Sequence, residues 1–146
     1  MTGEELKAKG AIYFSKIDEG FSNYKSVTLK MDAAKALKHF RSLRKEYGAD
    51  NCFADFYYFN LDPDAQEMVR ELLTPEDTAY LELIRPLDNV SGELIFPLDE
   101  KLLKIIVKLN AEEMLFSTIF FLNGKNGRAR TTWWGNYDRE YVCFKD

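Results

Sequence analysis

One histidine and two cysteines among 146 residues leave little material for the commonest catalytic and metal-binding arrangements. A catalytic triad or a histidine-based metal cluster needs companions for His39, and the chain supplies no second imidazole. There is no Gly-x-Ser-x-Gly elbow and no Cys-x-x-Cys pair. A stapled secreted framework is excluded by the same scarcity, since Cys52 and Cys143 allow a single bridge at most. Both cysteines sit in apolar runs, where a free thiol behaves as a small hydrophobe. A Cys–His dyad is disfavoured by pattern, because His39 falls on the basic outer face of its helical segment. No apolar run approaches the ~20 residues of a membrane span. The acidic start, Met1-Thr2-Gly3-Glu4-Glu5-Leu6, lacks the apolar core of a signal peptide. The expected location is the cytoplasm.

What the chain does have is ring mass. Aromatic residues make up 14%, with Phe 11 and Tyr 8, inside an ordinary balance of 46% hydrophobic and 30% charged residues. Such a chain is globular rather than disordered. It is long enough to bury roughly two-thirds of its unfolded surface without metal or disulfide. No Gly/Ser/Pro-rich linker divides it, so residues 1–146 are read as one domain. Within it, 1–48 is the helical part and 51–146 the sheet-forming part. The net charge of −4 and pI near 5.2 argue against nucleic acid or an anionic membrane as partner and favour a basic one.

Taken in order, Leu6, Gly10, Tyr13, Phe14, Ile17 and Phe21 fall at steps of three or four and predict one helix over Glu4–Phe21, with Gly10 its weak point. Residues 22–30 read as a connector. Asp32 caps a helix that runs to Tyr47 and stops at Gly48, burying Ala36, Leu37 and Phe40. Its other surface carries Lys35, Lys38, Arg41 and Lys45, best read as a solvated face. The aromatic run Asn51–Leu61 predicts a strand. Asp62-Pro63-Asp64 opens a helix that ends before Thr74-Pro75. Residues 78–86 are ambiguous. The cap, proline and acids of Thr74-Pro75-Glu76-Asp77 resemble a helix start, yet the short apolar stretch before Pro86 is read as a strand. Asp88–Gly92 reads as a turn and Leu94–Phe96 as a short strand.

The C-terminal third is the most readable. Asp99 caps a helix with Leu102, Ile105, Ile106 and Leu109 on one stripe. Residues Leu115–Leu122 are apolar on both alternations, as in a central strand covered on both faces. Asn123–Gly127 forms a loop, Ala129–Trp134 a strand, Gly135-Asn136 a tight turn with positive φ, and Glu140–Phe144 a last strand. The loops are too short for crossovers, so the three strands form an antiparallel meander. The expected fold is α+β: one domain, with helices packed on a mainly antiparallel twisted sheet of about five to six strands.

Function is less legible. Gly124-Lys125-Asn126-Gly127-Arg128 has the ingredients of a phosphate cradle but not the P-loop pattern, and reads as an exposed hairpin loop. Asp62 and Asp64 are accounted for as helix-start residues and Glu112-Glu113 as a connector. Asp55 stands out, as an acid inside a dense aromatic run that either faces solvent or sits in a pocket. Trp133 and Trp134 are adjacent on a strand, so one belongs to the core unless both anchor a partner. The leading expectation is a protein-binding module without catalytic residue, cofactor or metal, such as an immunity- or antitoxin-like protein that occludes a partner through Trp133, Trp134 and Tyr137. The alternative is a small-ligand domain or unorthodox enzyme with a pocket at Asp55, Tyr57 and the sheet aromatics. A homodimer through the aromatic patch is the third reading.

Overall fold

The computed structural model describes residues 1–87, 94–124 and 127–146. In chain order the elements are α1 (Gly3–Ala8), α2 (Ile17–Asn23), β1 (Lys25–Lys30), α3 (Ala33–Tyr47), β2 (Cys52–Asp55), α4 (Pro63–Glu71), α5 (Pro75–Ile84), β3 (Ile95–Pro97), α6 (Glu100–Ala111), β4 (Thr118–Phe121), β5 (Thr131–Gly135) and β6 (Glu140–Lys145). The six described strands form one open sheet in the order β1-β6-β5-β4-β2-β3. Every neighbouring pair is antiparallel. The fold is the single α+β domain expected, and β4-β5-β6 is its C-terminal meander.

The alternation of side chains sorts the core into two faces. Cys52, Ala54, Ile119, Phe121, Trp133, Tyr141 and Cys143 share one face and pack against α3 and α6. Phe40 is the hub there, with its ring 5.3 Å from Trp133, 5.0 Å from Tyr141 and 6.5 Å from Phe121. The opposite face carries Phe53, Phe120 and Leu122, covered by Leu6 and Ala11, and Val142 and Phe144, covered by Ile12 and Phe14. Strand β4 is buried along its whole length between these layers.

Three helices start where their sequence caps say they should. Asp32, Asp62 and Asp99 accept from the amides of Lys35, Ala65 and Leu102, each at 2.8 Å. Elsewhere the structure departs from the expected pattern. The stripe over 4–21 is broken into α1 and α2, because Gly10 adopts φ +104° and the chain then runs extended over the second sheet face. Two bonds pin that crossing: Thr132 Oγ1 donates to the Ile12 carbonyl at 2.7 Å, and Arg130 donates to that of Gly10 at 3.1 Å. The connector contains an edge strand, β1. The aromatic run pairs only over Cys52–Asp55 and then turns through a short 3-10 segment at Tyr58–Asn60.

The ambiguous 78–86 stretch is helical up to Ile84, where α5 ends, and not a strand. Thr74 and Asp77 form a reciprocal capping box, with the Asp77 amide on Thr74 Oγ1 at 3.1 Å, and Leu81 is fully buried. Local capping chemistry prevails over the proximity of Pro86. The expected turn at Asp88–Gly92 lies outside the described residues, as do Lys125 and Asn126 of the glycine loop. In the β5–β6 connection the positive φ falls on Asp138 and Arg139 rather than on Gly135-Asn136.

The two cysteines are far apart and free. Two strands separate β2 from β6, and the register offsets Cys52 by two residues from the position facing Cys143, so they lie more than about 14 Å apart at ~4.8 Å per strand. Burial pushes each thiol up to about 11, so both remain protonated small hydrophobes. His39 is not on the solvated face expected for it. Its ring meets Trp133 edge-on at 5.0 Å, and its Nε2 is buried without a hydrogen-bond partner.

Burial lowers the His39 pKa below its ordinary 6.5, with Glu46 opposing and Lys35 reinforcing the shift. The unfolded chain therefore takes up the proton more readily than the folded one. Stability from this group is present above about pH 6.5 and is lost as the pH falls through the lower folded value. Urea unfolding of wild type and His39→Gln across pH 5 to 8 reads this directly. The difference between the two should widen toward the alkaline end, and a flat difference contradicts the assignment.

Candidate functional site

The ladder between β2 and β4 ends at Ala54 and Ile119, one residue short of Asp55 and Thr118. The Thr118 amide has no backbone acceptor across the pair there, and the Asp55 carboxylate takes it instead, at 2.7 Å. On the next strand Trp134 stands opposite Thr118. Asp55, Thr118 and Trp134 thus form one row across the second sheet face, just beyond the cover supplied by the N-terminal segment.

The row is the floor of a cleft of about 350 Å³. Tyr13, Phe14 and Ser15 bound it on the side of the extended N-terminal crossing, and Tyr57, Phe116, Asn136 and Tyr137 on the side of the loops. Half of the fourteen described lining residues are aromatic, and among them Asp55 is the acid, with no lysine or arginine. The rings are braced in pairs. Phe14 stacks on Trp134 with centroids 5.7 Å apart and planes at 16°, and Tyr13 lies 6.0 Å from Phe120. Phe116 meets Tyr137 edge-on at 4.7 Å. Tyr137 is 62% exposed and forms the lip, while Trp134 is partly buried.

The back of the cleft is polar and tightly built. Ser117 belongs to it and is 3% exposed, and its buried Oγ has no hydrogen-bond partner among the described residues. Behind Gly135 lies Asn110 of α6, buried, with both amide atoms unpartnered. A Cβ on Gly135 would stand 2.0 Å from Asn110 Oδ1 and 2.9 Å from the Ser117 carbonyl. That close approach, not backbone conformation, is why glycine is needed here.

Four of the five residues singled out from sequence, Asp55, Tyr57, Trp134 and Tyr137, line this one cleft. Trp133 does not. It is 6% exposed on the opposite face, packed against His39 and Phe40, with its indole N–H donating to Thr131 Oγ1 at 3.1 Å. The Trp-Trp pair therefore divides between the two faces. Tyr13, Phe14, Phe116 and Ser117 were not picked out. The signal of the three rings was aromatic density, which their assignment to a helix and to a central strand absorbed, and Ser117 gave none.

A second hollow of about 410 Å³ lies along α5 and α6, between Glu76, Asp77, Tyr80, Leu83, Lys101 and Lys104. Its two acids face two lysines, with Lys104 Nζ 4.0 Å from Asp77, so its charge is internally compensated. Among the described residues no three His, Cys, Asp or Glu side chains converge to hold a metal. No described helix is long and apolar enough to cross a membrane. Comparison with protein-family models, curated proteins and solved structures finds no significant match in any of the three.

Proposed function

We propose that this protein binds a small molecule in the cleft at Asp55. The observation that carries the reading is the convergence of Asp55, Tyr57, Trp134 and Tyr137 on one concavity. Its volume falls within the range of small-ligand sites, as does its mix of many apolar walls and few polar groups. The scaffold is preorganised: Asp55 is held by the Thr118 amide, and Trp134 by Phe14. Asp55 and the tyrosine hydroxyls supply orientation and the rings supply contact area.

A ligand that binds only the folded state stabilises it by mass action, by about 2.7 kcal/mol at a hundred times its dissociation constant, and so raises the melting temperature. Thermal unfolding against a panel of small amines, alcohols, sugars and carboxylic acids tests the reading. At least one class should raise the melting point of wild type by several degrees and that of Tyr137→Ala by clearly less. Tyr137 is an exposed lip residue, so its loss leaves the fold intact. A panel without effect on wild type contradicts the proposal.

Occlusion of another protein remains the second reading, and one observation favours a surface for it. Strand β1 is one edge of the described sheet and is exposed at all six residues, including Val27 and Leu29. Open edges accept a partner's strand. Lys25 and Lys30 end the strand, and Lys145 pairs beside Lys25, so this edge suits an acidic partner strand. A two-fold β1 pair would set Lys25 against Lys30, which disfavours the homodimer at this edge. A peptide alternating valine with glutamate should shift the amide resonances of residues 25–30 at low salt, and unchanged resonances count against an edge site.

A further inference from the structure

Resting on that reading, we infer that the cleft's ligand is a cation of the ammonium class, held by Asp55 and an aromatic cage. The charge pattern selects the sign. Asp55 is the charged side chain on the lining, and no lysine or arginine stands among the described lining residues to receive an anion. Beyond the lip, two further acids sit beside Tyr137: Asp138, whose amide donates to Glu113 Oε2 at 2.8 Å, and Glu113 itself. Arg139 follows in the same turn, so the rim carries both signs and it is the lining itself that selects the sign.

The rings select the chemistry. An ammonium or quaternary ammonium group is attracted to the faces of Trp and Tyr, and a cage of several rings replaces its water at little cost. Trp134, Tyr57, Phe116 and Tyr137 line the same cleft as Asp55, and the Phe116–Tyr137 pair is set at 64°, an angled wall rather than a flat platform. A neutral sugar is a weaker match, since its many hydroxyls need more polar partners than the lining offers. A carboxylate beside rings, in a half-enclosed site, suits one delocalised positive charge with an apolar body.

The test compares ligands of one shape and different charge. Choline and its uncharged carbon isostere 3,3-dimethylbutan-1-ol are titrated calorimetrically into the whole protein, with benzyltrimethylammonium, a primary amine and glucose alongside. The ammonium probes should bind about tenfold or more tightly than the isostere and glucose. Asp55→Asn should remove most of that preference. Asparagine keeps an oxygen for the Thr118 amide, so this variant is expected to fold. Tyr137→Ala gives a second arm, weakening the ammonium probes without touching Asp55. Equal binding of choline and its isostere, or preference for glucose, overturns the cation assignment while leaving the cleft a ligand site. Silence of every probe overturns the assignment together with the reading beneath it.

Discussion

Phe40→Ala lowers the unfolding free energy by about 4 kcal/mol in urea titrations, a large share of the ~5–15 kcal/mol that a domain of this size possesses. Phe40 is fully buried and touches three other rings, Trp133, Tyr141 and Phe121, one from each strand of the C-terminal meander. Its removal deletes the contact that couples α3 to all three strands at once. The surrounding rings are held by the sheet register and cannot close in, so the cavity persists and the cost lies in the upper range for aromatic deletions. Phe40→Leu, which leaves a smaller void, should recover more than half of the loss. A loss below about 1 kcal/mol for the alanine variant would mean that α3 is not seated on the sheet as described.

Gly135→Ala costs about 3 kcal/mol, for the opposite reason. The added methyl meets Asn110 Oδ1 from α6 and the Ser117 carbonyl of the neighbouring strand. The first neighbour can move only by displacing a buried side chain, and the second belongs to the backbone. The strain should therefore also displace Ser117 and Thr118, and with them the acceptor geometry of Asp55. Asn110→Ala in the same chain removes the nearer obstacle, and the double variant should recover part of the loss, the Ser117 carbonyl remaining. Additive effects of the two substitutions contradict the contact.

These two positions show how unevenly the sequence speaks. The Phe40 stripe, the caps at Asp32, Asp62 and Asp99, and the apolar strand β4 all follow from periodicity and capping, which are local. The misreadings lie where a non-local or weak signal decides. Residues 4–21 have helical spacing throughout, but Gly10 takes a positive φ and the chain beyond it is held extended by Thr132 and Arg130, residues more than a hundred positions away. Strand β1 has no buried residue, and its alternation is carried by Val27 and Leu29 alone, too short a signal to mark a strand. In α5 the Thr74–Asp77 capping box is a local signal, and it outweighs the nearby Pro86.

The candidate site was legible as residue types and illegible as a place. Asp55 stands out in the sequence because an acid sits in an aromatic run. That it ends a ladder, faces Trp134 across Thr118 and is walled by Tyr13 and Phe14 depends on the sheet order and the N-terminal crossing. Gly135 shows the same limit. Its position before Asn136 suggested a turn glycine, whereas its need arises from Asn110 in a helix packed on the other side of the sheet.

The division of the two tryptophans between opposite sheet faces offers the most direct measurement. Their indole N–H resonances, assigned by single Trp→Phe variants, are followed while choline is added to the intact protein. If the cleft is the binding site, the Trp134 indole and the Thr118 amide shift together and saturate, while the Trp133 indole, buried against His39 and Phe40, stays in place. An unmoved Trp134, or equal movement of both indoles, would contradict the account.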